Sequence, residues 1–185
     1  FVNENETEDD AFERLIEEIQ YRDAAFYEML EWAMNSRNSY AFGSAPFGDH
    51  TLQPLSSLVQ RLIAVDFRGT VKLESHVAHF CVIQNSEDNR VRLPAADLPI
   101  DQCKIKKLTE SQALSIGEVQ TIEFGNYLSN FSDASENPLR IEAGSAGNRS
   151  PLIPYPTHNA SLKAGEWNKI AQRNNRVVIS IIPEG

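Results

Sequence analysis

The sequence has few cysteines, no long apolar run and fewer basic than acidic residues. Two cysteines, Cys81 and Cys103, are too few for a disulfide scaffold, and without a C-x-x-C spacing they indicate neither a zinc site nor a redox pair. No apolar run approaches the roughly 18–20 residues that cross a membrane, and no signal peptide is visible. The formal net charge of -9 argues against nucleic acid or an anionic membrane surface as a partner, because both repel an acidic protein.

Sequence patterns for catalysis are also missing. The chain has no G-x-S-x-G motif, and "FGSAPFG" lacks the lysine and the spacing of a phosphate-binding loop. His76 and His79 are three residues apart at the end of a predicted strand, where that spacing does not bring two side chains together. We therefore expect no enzymatic activity, no cofactor and no metal site.

The composition is that of a globular protein, with 41% hydrophobic and 23% charged residues. A length of 185 residues suits one compact domain with an appendage. The first ten residues, "FVNENETEDD", are acidic with little to bury, which predicts a disordered tether over 1–10. The chain opens on Phe1 rather than methionine, and we expect a membrane anchor or signal upstream of it.

An amphipathic helix is predicted over 11–38. Its apolar positions recur at a seven-residue spacing, at Phe12, Ile19, Phe26 and Ala33. One face of this helix needs a partner. Two alternatives remain open: the helix packs on its own domain, or it self-associates as a short coiled coil and makes the protein a homodimer.

From about Tyr40 the chain alternates strands and helices. The alternation in "TVKLESH" predicts a half-buried strand, and "NNRVVISIIP" is apolar on both faces, as a central strand would be. The predicted elements are, in order, a short strand near 40, a helix to about 65, a strand at 70–76, a helix over 109–131, a strand at 139–143, a loop, and a last strand at 174–183.

A polar, proline-punctuated stretch from about 78 to 108 interrupts this alternation and reads as an insertion. Cys81 and Cys103 bracket most of it. The two cysteines form either one disulfide, which would clip the insertion, or two buried thiols.

Four stretches within residues 40–183, taken in order, resemble an OmpA-like domain. This is the peptidoglycan-binding module shared by outer-membrane OmpA proteins, Pal lipoproteins and MotB-type motor stators. "FGDHTLQPLSSLVQRL" looks like the turn and Leu-x-Pro start of the family's first helix, and "VKLESH" looks like its strand ending in Gly-His-Thr-Asp. "GSAGNRSP" is similar to its Gly-x-Gly-Glu-x-x-Pro turn, and "NNRVVISI" to its terminal Asn-Arg-Arg-Val-Glu-Ile strand.

The resemblance implies an α+β fold of β-α-β-α-β-β order, with helices on one mixed sheet. The domain would span 39–185, with the insertion at about 78–108 and the helical extension in front. It also implies a bacterial protein in the periplasm, tethered to a membrane by a segment absent from this chain. Because the periplasm is oxidising, we expect the disulfide between Cys81 and Cys103.

The resemblance implies a binding pocket as well, in which this sequence departs from the family. The family binds the amine and carboxylate of diaminopimelate with an Asp at the end of the second strand and an Arg on the second helix. In this sequence the Asp falls on Ala78 and the Arg on Gln120. The ligand-binding residues carried over from the family's pattern are Ser75, His76, Ala78, Gln120, Asn174 and Arg176.

Two functions follow from these expectations. In the first, the chain anchors a membrane-attached protein to peptidoglycan through an altered pocket. In the second, it is a non-enzymatic protein-interaction or structural domain of an envelope assembly, motor-stator-like or secretion-related, that has lost diaminopimelate binding. The partner is accordingly peptidoglycan or another envelope protein.

Overall fold

The computed structural model describes residues 8–85, 90–133 and 138–184, and the first seven residues of the predicted tether lie outside this range. The chain folds as α+β, as predicted. The elements are α1 Glu8–Asn35, α2 Asp49–Ala64, β1 Gly69–His76, β2 Cys81–Gln84, β3 Val91–Arg92, a 3₁₀ turn Ile100–Gln102, β4 Lys104–Ile105, α3 Glu110–Gly117, α4 Ile122–Asp133, β5 Leu139–Gly147, α5 Ala164–Asn174 and β6 Arg176–Pro183. No helix in these ranges is long and apolar enough to cross a membrane.

The main sheet has three strands in the order β5-β1-β6. Strand β1 is parallel to β5 and antiparallel to β6, with His76 opposite Arg176. Its inward residues Val71 and Leu73 are fully buried against a core that α2 and α4 complete with Leu55 and Phe124. The central strand is therefore β1, and the prediction that the last strand is central is wrong.

Helix α1 and the residues after it cover the edge of β6 that does not pair with β1. The Asn35 amide donates to the Ile179 carbonyl and accepts from the Ile179 N–H, both at 2.8 Å, as a neighbouring strand would. Glu31 accepts from the Ile181 N–H, and the Val177 N–H donates to the Asn38 carbonyl. Side chains of α1 thus occupy the edge that another strand would otherwise cover.

Two faces of α1 differ in their packing. Tyr27, Leu30 and Met34 pack against the main core. Met29 and Trp32, on another face, are 67% and 77% exposed. One face of the last turns of α1 is thus part of the domain, and an apolar ridge remains exposed on another face. The side chains of Phe12 and Ile19, which began the predicted repeat, lie outside the described set.

The insertion forms a second, antiparallel sheet in the order β3-β2-β4 beside the main sheet, which is mixed. A disulfide joins Cys81 to Cys103 across it, with the two Cα atoms 5.7 Å apart, which confirms the predicted bond. The insertion packs on α5 through a second core cluster that includes Phe80, Ile100 and Trp167.

The helix predicted over 109–131 is two helices, α3 and α4, separated at 118–121. The break follows Gly117, where a Cβ would lie only 1.9 Å from Ser145 Oγ and 2.6 Å from Ser75 Oγ. The Ser75 hydroxyl donates to the Gly117 carbonyl at 2.6 Å. Contact with the sheet therefore requires glycine at the end of α3 and redirects the chain.

Candidate functional site

The segment 77–80, directly after strand β1, lies between two clefts and is held in place by Asn175. The Asn175 side chain accepts from the Ala78 N–H at 3.2 Å and donates to the Tyr40 carbonyl at 2.9 Å. The Tyr40 hydroxyl in turn donates to the His76 carbonyl at 3.0 Å, and burial raises the pKa of that hydroxyl. These bonds fix the segment 77–80, which contributes to the walls of both clefts.

We call the first cleft the apolar cleft; its volume is about 280 Å³. Among the described residues on its wall, Lys106 is the one that carries a charge. The wall consists of Tyr40, Phe42, Gly43, Ser44, Ala45, Val77, Ala78, Phe80, Lys106, Leu108, Ile116, Val119 and Asn175. Such a surface suits apolar groups and offers no carboxylate to an amine.

We call the second cleft the basic cleft; its volume is about 240 Å³. It lies between the end of β1, the start of β6 and the loop after β5. Its wall consists of His76, Val77, His79, Asn148, Arg149, Pro151, Tyr155, Asn174 and Arg176. None of these described residues is Asp or Glu, although the chain has 26 acidic residues.

Arg176 is the buried cation of the basic cleft, with 9% of its surface exposed. Its guanidinium donates to the carbonyls of Asn174 at 3.3 Å and Ser150 at 3.4 Å. No carboxylate of the described residues lies within ion-pair distance of it. Burial lowers the pKa of Arg176, but arginine remains protonated at neutral pH.

His76 lies beside Arg176 on the neighbouring strand. Its Nδ1 is 3.3 Å from the Arg149 carbonyl, which accepts the ring proton, and its Nε2 is 3.8 Å from Glu74 Oε1. Burial and then the charge of Arg176 lower the pKa of His76, opposed by the Arg149 carbonyl and Glu74. The imidazole is therefore neutral at neutral pH, and the guanidinium supplies the charge.

The outer wall of the cleft is attached by Asn174. Its amide accepts from the Ile153 N–H at 2.8 Å and donates to the Ile153 carbonyl at 2.9 Å. Arg149, at the rim, pairs with Glu110 at 3.1 Å, and both side chains are largely exposed. The positive charge of Arg149 is thus partly compensated, whereas that of Arg176 is not.

The structure divides the six predicted site residues. His76, Asn174 and Arg176 come together in the basic cleft, and Ala78 lies in the apolar cleft. Ser75 is fully buried, and its hydroxyl donates to the Gly117 carbonyl at the end of α3. Gln120 is exposed in the break between α3 and α4, bridges the backbone of Phe47 and lines neither cleft. Ala78 and Gln120 therefore do not face one common cleft, because the break after Gly117 moves Gln120 off the expected helix.

The sequence-based reasoning missed His79, Asn148, Arg149 and Tyr155, which complete the basic cleft. All four come from loops, His79 from the one between β1 and β2 and the other three from the one after β5, where no periodic pattern marks a wall residue. His79, Asn148 and Tyr155 also line an adjoining cleft. Its other wall residues are Ile105, Lys107, Leu108 and Trp167.

The arrangement is suited to binding an anion. A guanidinium presents a planar fork of N–H donors that matches a carboxylate or phosphate. Within the described ranges no three His, Cys, Asp or Glu residues are placed to hold a metal ion.

Neither a scan against models of known protein families nor a search of curated proteins finds a match to this chain.

Proposed function

We propose that the chain is an OmpA-like, non-enzymatic cell-envelope module that anchors a membrane-attached protein to peptidoglycan through the basic cleft. The four stretches that carry the resemblance support it by their positions in the fold. "FGDHTLQP" opens α2, "VKLESH" lies in β1, "GSAGNRSP" spans the end of β5 and its turn, and "NNRVVISI" leads into β6.

The observation that carries the proposal is the buried Arg176 guanidinium, which faces the basic cleft without a carboxylate partner. Leaving a cation buried and unpaired is costly, so such a group is typical of a site that binds an anion. Stem peptides of peptidoglycan carry carboxylates, which a guanidinium binds through two parallel hydrogen bonds.

Binding of this kind differs from the diaminopimelate recognition that the resemblance implies. A zwitterion needs one fixed charge of each sign, and Ala78 stands where the family has its Asp. The altered pocket of this proposal is the basic cleft, which lies across the segment 77–80 from the apolar cleft that Ala78 lines. A periplasmic location agrees with the disulfide between Cys81 and Cys103, because oxidising compartments maintain such bonds.

Co-sedimentation with purified sacculi tests the proposal. The unmodified chain should pellet with sacculi, and Arg176→Gln should remain largely in the supernatant. Arg173→Gln is the matched control, because Arg173 is exposed in the last turn of α5 and lines neither cleft. Failure of the unmodified chain to pellet would contradict peptidoglycan anchoring.

The second candidate function is a protein-interaction or structural domain of an envelope assembly. The observation in its favour is the exposed apolar ridge of α1, which includes Met29 and Trp32. If the ridge joins two copies, sedimentation velocity should show a dimer that the change Met29→Glu with Trp32→Glu converts to a monomer. A monomer at all concentrations would argue against a homodimer through α1.

A further inference from the structure

The basic cleft combines one uncompensated positive charge with an absence of negative charge on its described wall. An arginine guanidinium has five N–H donors. Within the described residues, that of Arg176 donates to two carbonyls. Both bonds are long, at 3.3 and 3.4 Å. Donors of a buried guanidinium therefore remain available on the side of the cleft.

The other cationic or titratable groups around this site do not add a second full charge. Burial and Arg176 lower the pKa of His76, and Arg149 is paired with Glu110. A single negative charge is compensated in this setting, whereas a doubly charged phosphate would bring one charge that nothing buried balances. A zwitterion would place its ammonium beside Arg176, with no carboxylate on the wall to pair with it.

The adjoining cleft gives the ligand a direction. It shares His79, Asn148 and Tyr155 with the basic cleft and continues to Trp167. Tyr155 and Trp167 stack with ring centroids 4.7 Å apart, and the Trp167 indole N–H donates to the His79 carbonyl at 2.7 Å. The two rings give this wall an aromatic surface beside the basic cleft.

We propose that the basic cleft binds one carboxylate of a ligand that has no ammonium group next to it, with the Arg176 fork on the carboxylate and the rest of the ligand directed toward Tyr155 and Trp167. The natural source of that carboxylate is a stem peptide of peptidoglycan, and this part of the proposal rests on the proposed function. A protein C-terminus presents the same chemical group with L-residues instead of D-residues.

The test is an NMR titration of the full chain, read at the His76 ring and at the amides of the loop 148–155. The probes are N-acetyl-D-alanine, N-acetyl-L-alanine, D-alanine and inorganic phosphate, at constant ionic strength. N-acetyl-D-alanine should shift these signals and raise the pKa of His76, because its charge opposes that of Arg176. Glu74 and the Arg149 carbonyl also face this ring and act in the same direction.

D-alanine should bind at least about tenfold more weakly than its acetylated form, because its ammonium would be left unpaired. Arg176→Gln should weaken binding of N-acetyl-D-alanine by about ten- to a hundredfold, the usual loss for a charge-assisted hydrogen bond. Arg173→Gln removes the same charge from an exposed position and should leave affinity within about twofold. The response of His76 in the unmodified chain needs no variant and stays informative if Arg176→Gln does not fold.

The proposal is overturned if no acetylated probe shifts His76, if D-alanine binds as well as N-acetyl-D-alanine, or if phosphate binds more tightly than either. A preference for the D over the L probe supports peptidoglycan as the source, and the reverse preference overturns that source but not the carboxylate site. Probe binding without co-sedimentation would contradict the proposed function alone. Co-sedimentation that is lost in Arg176→Gln, with no probe binding, would contradict this inference alone.

Discussion

The apolar cleft and the basic cleft lie on opposite sides of the same four residues, 77–80, and are of similar volume, about 280 and 240 Å³. The wall of one is almost uncharged, and the wall of the other carries two arginines and two histidines. The difference depends on a few side chains, and Asn175 holds in place the segment that lies between the clefts. A fold supplies the edges at which clefts form, but the side chains on them decide which ligand is bound.

The largest effect should come from removing Asn175, whose side chain holds the segment 77–80 between the two clefts in place. Asn175→Ala leaves the buried Ala78 N–H without a partner and removes one of the two hydrogen bonds to the Tyr40 carbonyl, which keeps the Gln172 amide. The two losses together should destabilise the protein by about 4 kcal/mol. Asn175→Asp keeps the acceptor for the Ala78 N–H but buries a carboxylate against the Tyr40 carbonyl, so it should cost at least as much. Urea denaturation measures both, and a loss below about 1 kcal/mol for Asn175→Ala would show that this residue does not hold the segment 77–80 in place.

The next largest effect concerns the disulfide, whose loss should affect the apolar cleft more than the basic cleft. Closing the loop between Cys81 and Cys103, 22 residues apart, should contribute about 3 kcal/mol. The double change Cys81→Ala and Cys103→Ala should raise hydrogen exchange at Phe80 and Lys106, on the apolar cleft, more than at Arg176. Intact-mass measurement after alkylation without reductant provides the check on the bond itself, since two alkylated thiols would contradict it.

A smaller loss of stability is expected from a change that should affect the basic cleft and leave the apolar cleft unchanged. Asn174→Ala releases Ile153 and should cost about 2 kcal/mol, because its two backbone partners are only partly buried. It should also weaken carboxylate binding while signals from Phe42 and Ile116 in the apolar cleft stay unchanged. Equal perturbation of both clefts would mean that they are one cooperative unit.

The smallest effect is the pH dependence contributed by His76. Its pKa is lowered in the folded chain from the usual 6.5, chiefly by burial, so the unfolded chain binds the proton more readily. Stability should therefore be higher above about pH 6.5 and fall as the pH drops below it toward the folded value. His76→Gln should make this slope shallower. His50, whose pKa burial also lowers, contributes a similar slope, and His50→Gln is the matched comparison.

The elements with strong patterns could be predicted from the sequence, and those that depend on three-dimensional contacts could not. Alternation in β1 and the periodic apolar positions of α2 were sufficient to predict both. Helix α5 was missed because Trp167 is the one large residue among its buried positions, the others being Ala164, Ala171 and Asn174. The break after Gly117 depends on contact with Ser75 and Ser145, which no local pattern reveals.

The candidate site shows the same division. His76, Asn174 and Arg176 were identified through the resemblance, because they lie on strand ends or next to them. The remaining wall of the basic cleft comes from loops, whose positions depend on bonds such as those between Asn174 and Ile153. The edge position of β6 was not predicted, because α1 covers that edge with Asn35 rather than with a strand.

The most direct test of the central claim is chemical-shift mapping of the full chain with a soluble muropeptide, which reports on both clefts in one experiment. The account predicts shifts at His76, Arg149 and Arg176 around the basic cleft, with Phe42 and Ile116 in the apolar cleft unchanged. Shifts confined to the apolar cleft, or no shift at either cleft at saturating ligand, would contradict it.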